Sequence, residues 1–391
     1  MVMQRSALYA KEDRLSLRQR ADATIDIPFL VILLALLGLG LVMLYSASCV
    51  QSAYDSGHRT TTLYLRKQAI CAAAGAAAFF LFSRIPVGLW YKLCWFLYAG
   101  SILLLLGVLL MGQEVNGAKR WISIGGIQFQ PSELAKFAMI LVFARLTRDY
   151  GPRAKKFRFG VLGFGIALVG ILLPLALEKH LSAIMLMGMV AVVMMYVAGT
   201  DIRWLLAGAL SAVIFVLVYI SFMGYAGDRV SAWLHPEQDP GDTGYQILQS
   251  LYAVGSGGLF GLGLGRSRQK YLYLPFQYND YIFAIVCEEL GLFGAVGIIA
   301  LYMALILRGY WIALRARDRF STVLAAGLMT LIAVQTVLDL CVVTNLLPST
   351  GISLPFFSYG GTALAVNLGE MGVVANISRY RDKRNLQEAT I

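Results

Sequence analysis

Uncharged apolar runs long enough to cross a bilayer recur along almost the whole of this chain. They occupy 27–54, 93–113, 159–177, 204–227, 290–307 and 320–338, and a hydrocarbon core about 30 Å thick needs roughly 20 apolar residues per helix. Only 14% of the 391 residues are charged, against roughly a quarter in a soluble domain. No stretch is long and polar enough to form a separate soluble domain. The runs predict an all-α, polytopic integral membrane protein with about ten transmembrane helices. The spans fall at 27–50, 67–83, 90–111, 131–147, 160–177, 181–199, 203–223, 280–306, 320–344 and 356–377. Residues 27–377 then form one membrane domain between polar tails at 1–26 and 378–391.

The net charge of +11 could suggest nucleic acid, but that needs a basic face on a soluble module, and none is present. Topology explains it better. With these spans, 22 of the 33 Lys and Arg fall on one side and ten on the other, with Lys136 inside the membrane. The positive-inside rule places both termini in the cytoplasm of a multi-pass membrane protein. The first apolar run is long and lacks a small-residue cleavage site, so it reads as a retained helix. Five scattered cysteines, Cys49, Cys71, Cys94, Cys287 and Cys341, argue against a disulfide framework or a zinc site.

Two external loops exceed what a helix connection needs, at 112–130 and, between spans seven and eight, at 224–279. Loops beyond about 15 residues are usually functional or disordered. The second opens on the acidic HPEQDPGDTGYQ and continues as ILQSLYAVGSGGLFGLGLG. This part is too apolar for free solvent and too rich in Gly for an ordinary span, so it is expected to lie against or dip into the outer face. Among charges inside the spans, Glu133 and Lys136 are three apart on one helical face, and Asp339 and Glu370 stand alone. Such groups cost roughly 2.5–3.5 kcal/mol to insert and are functional candidates by default. The plainer reading of Glu133 and Lys136 is mutual neutralisation that holds two helices together.

Particular motifs add what composition cannot. NGAKRWI at 116–122 with QPSELAK at 130–136, GYQILQSLYAVGSGGLFGLGLGRS at 244–267, LPSTGISLPFFSYGG at 347–361 and SAS at 46–48 resemble the SEDS family of peptidoglycan glycosyltransferases. The loop sequence and the closing NISRY at 376–380 are more similar to its FtsW and SpoVE branch than to its RodA branch. The resemblance implies polymerisation of lipid II into glycan strands on the outer membrane face, for division or sporulation. It implies a class B penicillin-binding protein, a single-span transpeptidase, as partner. A divalent cation, Mg or Mn, fits that chemistry without a ligand cluster to identify it, and neither a nucleotide nor an organic cofactor is implied.

The chemistry needs a base outside, cations for the departing diphosphate and an apolar groove for the lipid tails. The resemblance places the catalytic aspartate just ahead of GYQ, where Asp239 stands, with Glu237 and Asp242 as near competitors; a solvated acidic turn is the alternative reading of all three. Substrate binding then falls to Arg120, Lys119, Glu133, Lys136, Gln246 and Lys270. Arg120 leads, because guanidinium suits bidentate phosphate contacts and Trp121 would fix its depth. For Lys119, Arg229, Arg266, Arg268 and Lys270, contact with anionic headgroups of membrane lipids is the competing role. The glycine run at 255–265 lacks the strand and lysine of a phosphate loop, and its glycines suit close packing or a tight turn. Four departures from the family pattern stand out. LPFQYNDY at 274–281 puts Phe276 and Tyr278 where Glu and His are usual, EKHLS at 178–182 puts His180 at an acidic position, Asp339 stands for Asn and Asn345 for Gly. A lipid II transporter without bond chemistry is the rival reading, but the internal repeat common to transporters is not evident.

The charge asymmetry generates a topological prediction. Cysteines introduced by Asp242→Cys and Ser349→Cys should react with impermeant maleimide on intact cells, and those at Lys155 and Arg317 only after permeabilisation. Labelling of position 155 in intact cells would break the ten-span register.

Overall fold

A computed structural model describes residues 24–115, 118–124, 127–208, 210, 231–238 and 243–380. Helices dominate it. They are α1 (Ile27–Asp55), α2 (Leu63–Phe82), α3 (Val87–Met111), α4 (Pro131–Tyr150), α5 (Phe164–Leu177), α6 (Leu181–Val197), α7 (Thr243–Ser256), α8 (Ile282–Leu314), α9 (Arg319–Val343) and α10 (Thr362–Ile377). Six membrane-length apolar helices occur among the described residues: α1, α2, α3, the Arg158–Leu177 segment ending in α5, α8 and α9. The shorter α6 and α10 are also apolar. The expected span at 203–223 lies mostly outside the described residues, which show helix over 202–208.

Local chemistry sets the helix starts. Asp26 caps α1, its side chain accepting from the Phe29 N–H at 3.1 Å, with a proline in the first turn. Asp318 caps α9 through the Ser321 N–H at 2.9 Å. Proline also opens α4, with Glu133 in the first turn, where a negative charge complements the helix dipole.

Burial separates an inner layer from an outer one. In α9, 72% of the most apolar window is buried, against 22–33% in α1, α2, α3, α8 and the segment ending in α5. Helix α4 is buried nearly all round, from Pro131 through Thr147. It packs on α3 and α9, while α10 packs on α2 and α8 packs on both α1 and α9. Outer helices therefore present apolar side chains such as Phe96, Leu103, Ile166 and Phe293 to lipid, and the charges within the bundle, Glu133, Lys136, Glu288, Glu289, Asp339 and Glu370, are buried against protein.

At one end of the bundle the loop before α4 forms a three-stranded antiparallel meander, β1 (Gln113–Val115), β2 (Ala118–Ile124) and β3 (Ile127–Phe129), in the order β1-β2-β3. Ile122 pairs with Phe129, and Gln113 with Trp121. The all-α expectation holds for the bundle, and the meander is an addition to it. At the opposite end, Arg308 of α8 donates twice to Asp26, at 2.9 Å each. The Asp26 N–H donates to Ser378 Oγ at 3.0 Å. Trp311 lies between the guanidinium groups of Arg308 and Arg315, 4.0 and 3.8 Å from its ring centre.

The expected eighth span is not a continuous helix. At Gly291 the backbone turns to φ 66° and ψ −168°, which frees the Glu288 and Glu289 carbonyls from the helical ladder. The glycine-rich turn after α7 supplies their donors. Leu262 N–H bonds Glu288 O at 2.9 Å and Gly263 N–H bonds Glu289 O at 3.0 Å; in return Leu292 and Phe293 N–H bond Gly258 O and Leu259 O at 2.9 and 3.2 Å. A Cβ at Gly261 or Gly291 would run into the other's backbone, and both have positive φ. The expected close packing of the glycine run is thus realised against α8. Ahead of it, α7 buries Ile247, Ser250 and Ala253 and exposes Tyr252, and Ser250 bonds Val343 O at 2.9 Å.

Gly291→Ala should lower the stability of the purified protein by at least about 2 kcal/mol, because both the positive φ and the backbone contact oppose a side chain. Gly38→Ala, in α1 with nothing within 4 Å of an added Cβ, should cost nothing. Thermal unfolding in detergent checks the contrast, and equal melting points would refute it.

Candidate functional site

At the end of the bundle that carries the meander, several charged residues are buried. Strand β2 runs over α3 and α4 and brings Arg120 to the corner between α5 and α6, where its Nη2 donates to the Lys179 carbonyl at 2.5 Å. Lys179 itself has φ 54°, the sign of a tightly held turn. On either side of it, Glu178 and His180 are buried. Burial pushes the Glu178 carboxyl up to about 8, against the lowering pull of Arg120. Burial also takes the His180 imidazole down to about 3, helped by the nearby charges of Arg120 and Lys136. Burial thus works against charge on both side chains of this corner. His180 thus does not supply the negative charge usual at this position in the family.

Below this corner, Lys136 Nζ meets Glu133 Oε2 at 2.7 Å, with the two side chains 4% and 10% exposed. The three-residue spacing on a single helix face produces the expected pair. Glu370 of α10, also buried, lies within electrostatic range of this pair.

The lining continues through α6 and the 346–361 segment. Ser182 donates to the Thr350 carbonyl. Gly351 faces Asp280, whose Oδ2 would make ordinary contact, at 3.6 Å, with a Cβ placed there. Asp280 ends the segment before α8, half-buried, and its charge reaches Asp339 of α9. Asp339 is fully buried, and neither of its carboxylate oxygens has a hydrogen-bond partner among the described residues.

Several candidate residues fall elsewhere. Asp239 and Asp242 lie outside the described residues, as does the side chain of Lys119, whose backbone pairs with Glu114. Glu237 is exposed, 3.7 Å from His235. Gln246 donates to the Pro275 carbonyl at 3.0 Å and so braces the loop. Lys270 requires a correction. It is buried, with Nζ 3.1 Å from Glu289 Oε1, so its ammonium is committed inside the protein and is not a surface cation for a diphosphate. Glu288 and Glu289 were overlooked among the intramembrane charges; the CEELG stretch within the eighth span carries the signal. Among the described residues no group of three metal-ligating side chains comes together.

A multi-helix membrane protein with a buried, charge-lined site at one end of the bundle is the class this arrangement defines. A family model described as "Cell cycle protein", for FtsW, RodA and SpoVE, matches residues 28–383. The chain belongs to the FtsW/RodA/SpoVE family. It is 39% identical over 360 residues to a probable peptidoglycan glycosyltransferase FtsW of Geobacter metallireducens, covering 90% of this chain and 94% of that protein. It is 38% identical over 359 residues to stage V sporulation protein E of Bacillus subtilis, covering 91% and 97%. A solved structure described as showing coordination of polymerization and crosslinking by a peptidoglycan synthase complex superposes with a TM-score of 0.77 at 27% identity, over 92% of this chain and 99% of that one.

Glu133→Ala should cost about 3–5 kcal/mol, because it removes one partner of a buried pair. Folded yield and thermal stability read this directly. Unchanged stability together with unchanged activity would show the pair to be dispensable.

Proposed function

We propose that this protein is a peptidoglycan glycosyltransferase that polymerises lipid II on the outer face of the bacterial cytoplasmic membrane, with both termini in the cytoplasm. The observation that carries the reading is the run of Arg120, Lys136, Glu133, Asp280 and Asp339 around one end of a lipid-embedded bundle. It occurs in a chain whose relatives bear the name peptidoglycan glycosyltransferase. The meander end faces outward, where the positive-inside rule leaves fewer basic residues.

In this reading the acceptor 4-hydroxyl attacks the anomeric carbon of the donor sugar. Its proton passes to a carboxylate, the bond to the lipid diphosphate breaks with inversion, and the diphosphate leaves with the bonding electron pair. Arg120, and Lys136 beneath it, offset the charge that develops on the leaving group. The donor set suits a divalent cation in part, since such ions commonly take one or two carboxylates plus substrate phosphates. Asp339, whose oxygens accept no hydrogen bond among the described residues, would hold it together with the substrate phosphates, and the cation's charge would help stabilise the departing diphosphate. A class B penicillin-binding protein is the expected partner, in line with the synthase complex to which the fold is similar.

Two aspartates compete for the base. The motif resemblance favours Asp239. Geometry favours Asp280, which stands at the site beside Asp339 and Gly351. Either carboxylate replaced by an amide keeps its shape but cannot take the sugar proton. Removal of the true base should lower polymerisation by about 10²–10⁴, with expression and membrane insertion unchanged. Gel-resolved polymer made from purified lipid II by Asp239→Asn, Asp280→Asn, Glu237→Gln and Asp242→Asn decides between them. Full activity in both Asp239→Asn and Asp280→Asn would refute the carboxylate mechanism, and lipid II movement without polymer in the unmodified protein would replace it with transport.

A further inference from the structure

Five polar side chains are buried together where α8 breaks. Ser46, Ser267, Lys270, Glu288 and Glu289 are each at most 6% exposed, and none has a part in the sugar-transfer chemistry. Glu288 has a local task. Its Oε1 accepts the Arg268 N–H at 2.9 Å and its Oε2 the Gln269 N–H at 3.3 Å, together with the Ser267 hydroxyl. Those donors belong to a turn without a helical or strand partner, and the carboxylate stands in for one.

Glu289 does more than its turn requires. It accepts the Ser267 N–H at 3.2 Å, but it also binds Lys270 Nζ at 3.1 Å, and both of its oxygens lie 2.7 Å from Ser46 Oγ on α1. Lys270 Nζ is itself 3.4 Å from that hydroxyl. A second buried carboxylate with its own ammonium is costly to desolvate, and capping alone gives no reason for it. Its effect is to tie three elements at one point: α1, α8 and the start of the 271–280 segment. That segment is fastened along its length by Gln277 Nε2 to Lys270 O at 3.4 Å, Gln246 to Pro275 O at 3.0 Å and Tyr359 N–H to Tyr278 O at 2.9 Å. It ends at Asp280. Leu272 and Phe276 within it sit at φ 67° and 53°, conformations that bulky residues keep only when their surroundings over-determine them.

We infer that Ser46, Lys270 and Glu289 are positioning residues: a buried cross-link between α1 and the break in α8 that sets the path of residues 271–280 and so the place of Asp280 in the site. The inference rests on the glycosyltransferase reading and on Asp280 acting in it. It also gives the SAS motif at the end of the first apolar run a task.

The test measures lipid II polymerisation and backbone hydrogen exchange on the same purified full-length protein for Lys270→Met, Lys270→Arg and Ser46→Ala. A displacement of about 1 Å at a reacting group can cost about 10² in rate. Lys270→Met should therefore lose kcat on that scale with KM within about twofold. Exchange across 267–281 should quicken, while α4 and α9 stay as they were. Lys270→Arg should recover most of kcat, and Ser46→Ala, which leaves no charge unpaired, should show a smaller loss with the same local exchange change. Unchanged kcat in Lys270→Met, or a fall in kcat with unaltered exchange at 267–281, would overturn the inference. If Lys270→Met does not fold, Ser46→Ala decides, and normal kcat with normal exchange in it counts against the cross-link. An unmodified protein that makes no polymer would refute the enzymatic reading instead, and the exchange data, which need no substrate, would still decide whether the cross-link holds the segment.

Discussion

Every backbone N–H and C=O at membrane depth must find its partner within the protein, and the site end of this structure follows from how that is met at Gly291. A helix interrupted in lipid would leave carbonyls at Glu288 and Glu289 without donors. The glycine turn between 257 and 263 returns four hydrogen bonds to the break. Glycine is required because backbone meets backbone there with no room for a side chain. Once the break is satisfied, the first turns of α8 are held by contacts other than those of a regular helix. The preceding segment can then bring Asp280 under the 346–361 loop.

The same logic of internal pairing lets the bundle carry many buried ionisable groups. Lys136 stands with Glu133 and within reach of Glu370, Lys270 stands with Glu289, and Arg120 reaches the 178–180 corner. The charged residues of α4 and α9 are surrounded by protein, while α1, α3, α5 and α8 give their apolar sides to lipid. Isolated charges at that depth would neutralise or reach for the interface. Cations and carboxylates instead meet inside the protein, as Lys136 does with Glu133 and Lys270 with Glu289.

Much of the architecture is written in local sequence. Length and hydropathy locate the apolar helices of the described residues, six of membrane length and two shorter, because the bilayer imposes both, and the spacing of Glu133 and Lys136 is enough to foretell their ion pair. The glycine run reads correctly as a close-packing element. What escapes is non-local or disguised. CEELGLFG reads as part of one apolar helix, since nothing in a single segment announces that a turn some thirty residues earlier will supply its missing donors. Lys270 looks like a surface cation because its partners, Glu289 and Ser46, are 19 and 224 positions away. The meander is short and polar, and its alternation is too brief to outweigh the helical pattern around it.

The clamp at the opposite end has a bearing on how the protein is handled and perceived by others. Asp26 is bound through its carboxylate to Arg308 and through its N–H to Ser378, so the leading and trailing polar segments depart from a single anchorage shared with the end of α8. Fluorophores fused to the two ends would begin their tethers side by side. A force applied at Asp26 or at Ser378 is therefore delivered to the helix whose far end is broken at Gly291.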